Sequence, residues 1–335
     1  MSILSVVDFF CGCGGTSAGF RNAGARILGG VDCDKDAGAT YQKNFPEAFF
    51  IERQIEEIDP ADIVERLANV EGKILFSGCA PCQPFSKQNR HQKKDDKRKN
   101  LLSDFGRMVS FCKPDFVFVE NVPGIQKLKE DGPFPDFLNL LKKLGYEVSY
   151  DVVSAAFYGV PQDRKRLVLL AARGRKPVFP IKKEKMTTVR DWISDLPELV
   201  AGSTDPTDPH HQASALSIIN LKRIQATPEG GGRKSWPEEL RLACHKTYNG
   251  HSDVYGRLSW DEPSSVLTTR CISYSNGRFG HPEQDRALSV REAACLQTFP
   301  RNYDFCGSPF SKARQIGNAV PPLMAEKFAR VFLEM

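Results

Sequence analysis

The sequence predicts an α/β protein with a mostly parallel, doubly wound sheet and a second, smaller, loop-rich domain. Buried-strand patterns alternate with helical patterns through the first half of the chain, which is typical of parallel sheets. A glycine-rich turn at residues 11–15 follows the first strand, and an acid, Asp32, follows the second. After Arg173 the long apolar runs give way to a segment rich in Gly, Pro, Ser and Thr, which predicts the second domain.

The composition is that of a globular protein large enough for two domains. The chain has 335 residues, of which 41% are hydrophobic and 26% charged. A net charge of +5 permits nucleic-acid binding without requiring it. No apolar run is long enough to span a bilayer, and the amino terminus lacks the charged region of a signal peptide. Ten cysteines without an export signal favour reduced thiols, so we expect a cytoplasmic protein without a membrane partner.

The first elements resemble half of a nucleotide-binding βαβ unit. We expect a strand over 4–10, a helix capped by Thr16 or Ser17 that ends near residue 23, a strand over 26–31, and a helix through residue 41. Glycines in the turn let the backbone approach a ligand, and Asp32 follows Gly12 at the spacing of a ribose-binding acid. A plain tight turn is the alternative.

Residues 77–86 form a stiff, proline-containing loop after the apolar run 74–76. Cys82 lies in this loop at a strand's carboxyl end, which makes it a candidate nucleophile. A buried thiol that packs as a small hydrophobe is the alternative. The pairs Cys11/Cys13 and Cys79/Cys82 match zinc-site spacings poorly, so we expect no metal.

A strand over 115–119 is expected to deliver Glu120 to the same sheet edge as Cys82. The apolar surround favours the neutral form of this carboxyl, although a helix-capping role is the alternative. Six of the ten residues at 90–99 are Lys or Arg, which indicates either a phosphate clamp or a solvated loop. We expect a helix over 101–112 between the basic residues 90–99 and the strand over 115–119.

Further helices are expected over 134–144 and 289–297, and a last one is expected to end near residue 334, with strands over 146–154 and 166–172. If Arg164 and Arg166 alternate along a strand, they face one way and suit a phosphate or a polar ring atom; an edge salt bridge is the alternative. Five histidines after residue 173 fit no metal signature and are expected to be surface or interface groups: His210, His211, His245, His251 and His281.

Six segments, in this order, are similar to those of bacterial-type DNA (cytosine-5)-methyltransferases. The resemblance covers nearly the whole chain outside residues 180–285. The segments are residues 8–15 (DFFCGCGG), 81–86 (PCQPFS), 120–122 (ENV), 162–166 (QDRKR), 291–300 (REAACLQTFP) and 315–321 (QIGNAVP). The resemblance implies a Rossmann-like methyltransferase fold, with a catalytic domain over 1–178 and 286–335 and a target-recognition domain over 179–285.

The resemblance also implies roles for four catalytic residues. The Cys82 thiolate would add to carbon 6 of cytosine and raise the electron density at carbon 5. Glu120 would hold a proton at ring nitrogen 3, Arg166 would bind the exocyclic oxygen, and Arg164 would orient neighbouring groups or a phosphate. A base, for which water is one option, would then remove the hydrogen at carbon 5.

The implied methyl donor is S-adenosylmethionine, with S-adenosylhomocysteine as product. Phe10 would pack on the adenine, Asp32 would bind the ribose, and Gln54 stands where the family usually has an Asp for the adenine amino group. The other implied cofactor residues are Gly12, Gly14, Gly15, Ile55, Pro81, Leu101, Asn318 and Val320.

The implied partner is double-stranded DNA, bound by a monomer at the nucleoid. The target cytosine would be flipped out of the duplex, and the basic loop 87–99 would close over the DNA. Expected DNA contacts are Gln83, Ser86, Lys87 and Arg98, with Arg270, Arg278 and Asn276 as base readers. A transfer-RNA methyltransferase of the same fold and a catalytically silent DNA-binding module are the alternatives. A cognate restriction endonuclease, linked in function without physical contact, is a further possible partner.

Overall fold

The computed structural model of the chain describes residues 3–81, 101–125, 132–182, 185–244 and 253–335. The chain divides into two compact units. Unit 1 comprises Met1–Tyr158, Lys165–Lys182 and Val320–Met335, and unit 2 comprises Gly159–Arg164 and Lys183–Ala319. Residues 286–319, which we expected in the catalytic domain, therefore belong to unit 2. The roles assigned to the two domains stay predictions.

Unit 1 is built on a seven-stranded sheet in which β7 runs antiparallel to both of its neighbours. The strand order is β3-β2-β1-β4-β5-β7-β6, and β1 to β5 pair in parallel. This confirms the mostly parallel sheet predicted from the sequence. The order reverses between β1 and β4, the place where open α/β sheets bind ligands. The strands are β1 (Leu4–Phe9), β2 (Arg26–Asp32), β3 (Phe49–Glu52), β4 (Lys73–Gly78), β5 (Phe116–Asn121), β6 (Tyr146–Ser154) and β7 (Lys165–Arg173).

The helices of unit 1 pack around a core rich in aromatic rings. Phe9 on β1 lies 5.0 Å from Phe76 on β4 and 5.5 Å from Phe105, measured between ring centroids. Gly78 makes room for Phe105, because an added Cβ would come within 2.4 Å of that ring. The helices described in unit 1 are α1 (Gly15–Ala23), α2 (Lys35–Asn44), α3 (Pro60–Leu67), α4 (Leu101–Cys112), α5 (Pro133–Lys143) and, near the end of the chain, α10 (Pro322–Leu333).

The start of α1 differs from the prediction that Thr16 or Ser17 caps it. Gly14 is the N-cap residue, with φ at 87°, and both predicted caps lie inside the first turn. A left-handed N-cap favours glycine, which has no Cβ to clash. The Ser17 hydroxyl instead donates a hydrogen bond of 2.7 Å to Asp8 on β1.

Unit 2 has long connecting segments around short helices: α6 (Arg190–Ile193), α7 (Ile218–Gln225), α8 (Val290–Leu296) and α9 (Pro309–Asn318). One of its buried clusters surrounds Trp236, whose indole N–H donates to the Thr227 hydroxyl at 2.8 Å. Backbone carbonyls here are satisfied by a buried arginine, Arg257, which donates to Ile224 and Thr227. Hydrogen bonds from buried polar side chains therefore hold the connecting segments of unit 2 in place, as strand pairing holds the backbone in unit 1.

A buried ion pair between Arg286 and Glu292 organises the start of α8 within residues 286–319. Both terminal nitrogens of Arg286 donate to the Glu292 carboxylate at 2.7 Å, and both side chains are buried. Glu292 also accepts the backbone N–H of Ser289, and Ser289 caps α8 in return. His211 Nδ1 lies 2.9 Å from the Ser289 hydroxyl, which ties the start of α8 to an earlier part of the same unit.

The histidine prediction is wrong for three of the five residues. His210, His211 and His281 are buried, because each ring finds polar partners inside unit 2. His210 pairs with Asp304 at 2.7 Å, and burial lowers the pKa of His281 to about 4. His245 and His251 lie outside the described residues.

Neither a membrane span nor a metal cluster is found in the part of the chain that the structure describes. None of its helices is long and apolar enough to cross a bilayer. No group of three or more His, Cys, Asp or Glu side chains there is arranged to hold a metal ion.

Candidate active site

The glycine turn after β1 consists largely of left-handed backbone. Phe10, Gly12 and Gly14 have φ values of 57°, 51° and 87°. A left-handed phenylalanine is uncommon, and such strain tends to occur at ligand-binding sites. Space is open beside the turn, because a Cβ added to Gly12 would meet nothing within 4 Å. The turn therefore leaves open space beside the half-buried Gly12 at the carboxyl end of β1.

Asp32 holds this turn from the end of β2. One carboxylate oxygen accepts the N–H of Gly12 at 2.8 Å, and the other accepts the N–H of Asp34 at 2.9 Å. Burial raises the pKa of Asp32, and these two hydrogen bonds oppose that rise. Each oxygen keeps a lone pair for a further donor. The predicted pairing of turn and acid is thus a direct contact.

Asp8 lies beneath the turn and is fully buried. Burial raises the pKa of its carboxyl to about 6, and the hydrogen bond from Ser17 opposes the rise. The Ser17 hydroxyl also lies 3.2 Å from the Tyr41 hydroxyl on α2. Through Ser17, the acid thus links β1, α1 and α2.

The segment that leads to Cys82 is anchored at the end of β4. The Asn121 side chain donates from Nδ2 to the carbonyl oxygen of Ala80 at 3.2 Å. The Cys79 thiol contacts the Thr16 hydroxyl at 3.7 Å, and burial, followed by the Glu120 charge, raises its pKa well above the usual value. The thiolate form of Cys79 is therefore disfavoured.

Glu120 and Arg166 form an ion pair on adjacent strands. Arg166 Nε lies 3.0 Å from Glu120 Oε1, and both side chains are largely buried, at 15% and 10% exposed. Glu120 is opposite Val168 in the β5–β7 register, so its position is set by the sheet. The sequence predicted β5 to end before Glu120, but Glu120 and Asn121 are its last two residues. The pair places a carboxyl and a fixed cation at the edge to which β4 points.

Arg164 does not share a face with Arg166, contrary to the prediction. Strand β7 begins at Lys165, so strand alternation does not extend to Arg164. Its guanidinium instead lies 3.4–3.5 Å from the carbonyl oxygens of Leu267, Gly317 and Ala319, all within unit 2. These contacts give Arg164 an anchoring position, and its catalytic role stays a prediction.

Two buried glutamines that we did not single out complete this anchor. Gln162 Nε2 donates to Gln297 Oε1 at 2.7 Å, and Gln297 Nε2 donates to the Ala319 carbonyl at 2.6 Å. Gln162 Oε1 accepts the N–H of Leu267 at 3.2 Å. Both residues lie in segments that carry the family resemblance, and that is the signal by which they could have been found.

The remaining predicted cofactor residues differ in exposure. Ile55 and Val320 are buried, Leu101 is half-buried, and the exposed positions are Gln54, Pro81 and Asn318. Gln54 precedes a single turn over Ile55–Glu57, and Asn318 is the last residue of α9. Gly15 is the first residue of α1. The cofactor roles of these residues stay predictions.

The predicted base readers differ in their exposure and in their hydrogen-bond partners. Arg278 Nη1 donates to the carbonyl oxygens of Gly230 and Gly231 at 2.7 Å, so part of its guanidinium is engaged within unit 2. Asn276 bonds to the Ser273 hydroxyl at 2.7 Å, and Arg270 is exposed. Five predicted residues follow Pro81 in the sequence and lie outside the described residues: Cys82, Gln83, Ser86, Lys87 and Arg98.

Comparison with known proteins decides the family. The profile described as C-5 cytosine-specific DNA methylase matches residues 4–334. Type II methylase M.HgiDII of Herpetosiphon aurantiacus is 43% identical over an alignment that covers 97% of this chain and 94% of that protein. The chain belongs to the C-5 cytosine-specific DNA methylase family.

A second relative agrees with the assignment to the methylase family, and a solved structure agrees with the fold. Type II methyltransferase M1.HphI of Haemophilus parahaemolyticus is 32% identical, with 99% of this chain and 87% of that protein covered. The fold is similar to that of an Escherichia coli prophage protein described as a DNA modification methyltransferase, with a TM-score of 0.78, 24% identity and 99% of both chains covered. The enzyme class predicted from the six segments is therefore confirmed.

Proposed function

We propose that this methylase transfers a methyl group from S-adenosylmethionine to carbon 5 of a flipped-out cytosine in a specific duplex DNA sequence. The observation that carries the proposal is the buried pair of Glu120 and Arg166, next to Asn121, which holds Ala80 two residues before Cys82. A nucleophile, a carboxyl that can carry a proton and a fixed cation are the groups that this reaction requires.

The residues around the β1 turn fit the cofactor. The open space beside Gly12 accommodates a ligand against backbone, and the lone pairs of Asp32 suit ribose hydroxyls. The half-buried Phe10 ring offers a face for the adenine. When bound, S-adenosylmethionine supplies an electrophilic methyl carbon, and S-adenosylhomocysteine remains. Gly14, Gly15, Gln54, Ile55, Pro81, Leu101, Asn318 and Val320 complete the proposed cofactor set.

In the proposed mechanism the Cys82 thiolate forms a bond to carbon 6, and Glu120 holds a proton at nitrogen 3 to take up the resulting electron density. Arg166 holds the exocyclic oxygen and fixes the Glu120 carboxyl from the neighbouring strand. Arg164 acts through the backbone at Leu267, Gly317 and Ala319 and positions that segment. Once carbon 5 carries the methyl group that S-adenosylmethionine would supply, a base, for which water is one option, takes the carbon-5 proton. The electrons of that C–H bond re-form the double bond between carbons 5 and 6, and the Cys82 sulfur leaves as a thiolate.

The proposed partner is duplex DNA, and the site of action is the bacterial nucleoid. Loop residues Gln83, Ser86, Lys87 and Arg98 would bind the backbone around the flipped nucleotide, while Arg270 and Arg278 would contact bases. Relatives named Type II methylases support a role in protecting DNA from a cognate restriction endonuclease.

Trapping with duplex DNA that contains 5-fluorocytosine tests the proposal, because fluorine at carbon 5 cannot be removed as a proton. Bisulfite sequencing of DNA from cells that express the protein first identifies the methylated site. With S-adenosylmethionine, the wild-type protein should form a covalent adduct with that duplex. Cys82→Ser should form none, whereas Cys244→Ser, at an exposed cysteine of unit 2, should react as the wild type does.

Two outcomes would overturn the proposal. An undiminished adduct in Cys82→Ser would exclude the nucleophile. Methylation of transfer RNA with none of duplex DNA would establish the alternative substrate.

A further inference from the structure

The segment 267–271 lies against one face of α9. Phe310, Ala313 and Gly317 are three and four residues apart, so they share a side of this helix. The Cys271 thiol donates to the carbonyl oxygen of Ala313 at 3.7 Å. A Cβ added to Gly317 would lie 2.3 Å from the carbonyl carbon of Thr268, so only glycine allows this approach.

Side chains from residues 162–164 hold the same segment by its backbone. Gln162 Oε1 accepts the N–H of Leu267, and the Arg164 guanidinium faces its carbonyl oxygen. Arg164 also faces the carbonyl oxygen of Gly317 on α9. Segment 267–271 is therefore fixed both to the helix and to residues 162–164.

Arg270 projects from this fixed segment over an exposed aromatic ring. Its guanidinium carbon lies 5.7 Å from the centroid of Phe310, within the range of a cation–π contact. Phe310 is 55% exposed, so this ring is not a core residue. Arg270 itself is exposed. An aromatic side chain on the surface of unit 2 thus faces a cation.

We infer that Phe310 is a positioning residue that presents the Arg270 guanidinium to duplex DNA. This inference rests on the proposed function. Stacking on a ring restricts the arginine rotamers while the guanidinium N–H groups stay available at the ring's edge. Less side-chain freedom is then lost when the guanidinium binds acceptor oxygens of DNA. The acceptor belongs either to a guanine edge or to a phosphate.

Binding of a duplex that contains the mapped methylation site tests the inference. We expect Phe310→Leu to raise the dissociation constant about two- to fivefold, the strength of an exposed cation–π contact. Phe310→Trp should restore binding, and Phe310→Leu should add nothing in an Arg270→Ala background. The KM for S-adenosylmethionine should not change. Phe111→Leu is the matched control, because Phe111 is 57% exposed on α4 of unit 1.

Wild-type affinity in Phe310→Leu would overturn the inference, as would an equal loss with and without Arg270. Duplexes with single base-pair changes distinguish the two acceptors, because a guanine contact reduces discrimination at one position and a phosphate contact weakens all sequences alike. If the wild-type protein neither binds nor methylates duplex DNA, the proposed function itself fails. A functional wild type with unaffected Phe310 variants refutes this inference alone.

Discussion

The carboxylate of Asp32 accepts the backbone N–H of Gly12 at 2.8 Å, across 20 residues of sequence. The glycine turn and the acid are therefore one structure, in which the acid fixes the backbone of the proposed cofactor site. An acid that also binds ribose would serve two donors at once, which a carboxylate oxygen with two lone pairs allows.

We predict that Asp32→Ala raises the KM for S-adenosylmethionine about tenfold or more, because two backbone N–H groups lose their acceptor and the turn loses its support. Steady-state kinetics with duplex DNA at saturation measures this effect. Asp59→Ala is the control, since Asp59 caps α3 in the same unit and its loss should reduce stability alone. An unchanged KM in Asp32→Ala would show that the contact does not support cofactor binding.

We predict that Glu120→Gln reduces the single-turnover rate of methyl transfer about 100-fold or more, because the amide cannot supply a proton at nitrogen 3. The amide has the same shape and retains an oxygen near Arg166, so the fold should persist. Glu147→Gln is the control, as Glu147 is exposed on β6. A near-normal rate in Glu120→Gln would remove the carboxyl from the mechanism.

The sequence predicted most elements of unit 1 because their signals are local. Apolar runs marked β1, β2 and β4, and helix α4 has the expected bounds of residues 101–112. We missed α3 and α9, although each has a capping Asp or Ser followed by proline, the usual start signal. The start signals of these two helices are therefore local and can be recognised in the sequence.

The partners of Arg164 and Gln297 could not be predicted in the same way. Gln162 and Gln297 are 135 residues apart, and no periodic pattern links them. A polar residue gives the same sequence signal whether it faces water or a distant buried partner. For the same reason, the sequence does not predict that His210, His211 and His281 are buried.

We predict that the contribution of Asp8 to stability falls as the pH rises from 3.8 to about 6, because burial raises the pKa of its carboxyl to about 6. Across this window Asp8 holds its proton more tightly in the folded protein than in the unfolded chain, so its contribution is present at low pH and lost above its folded pKa. In Asp8→Asn, which does not titrate, the free energy of unfolding relative to wild type should rise with pH by about 3 kcal/mol.

Denaturant unfolding between pH 4 and 7.5 measures the difference between Asp8→Asn and wild type. Asp59→Asn, at an exposed cap, should show a difference that does not vary in this way. A constant difference for Asp8→Asn would mean that the buried acid does not change its charge in this window.

We predict that Arg286→Met lowers the free energy of unfolding by about 3–5 kcal/mol, because Glu292 is then left as a buried carboxylate without its main partner. Burial by itself raises the pKa of Glu292, but the Arg286 guanidinium holds it below its usual value.

Adding Glu292→Gln to Arg286→Met should recover part of the lost stability, since the amide is neutral and its oxygen can still accept the Ser289 N–H. Arg190→Met is the control, because the Arg190–Asp261 pair is exposed and should contribute little to stability. Equal losses for Arg286→Met and Arg190→Met, measured by denaturant unfolding, would show that burial adds nothing to the pair. A double variant less stable than Arg286→Met would show that the Glu292 charge is stabilised by groups other than Arg286.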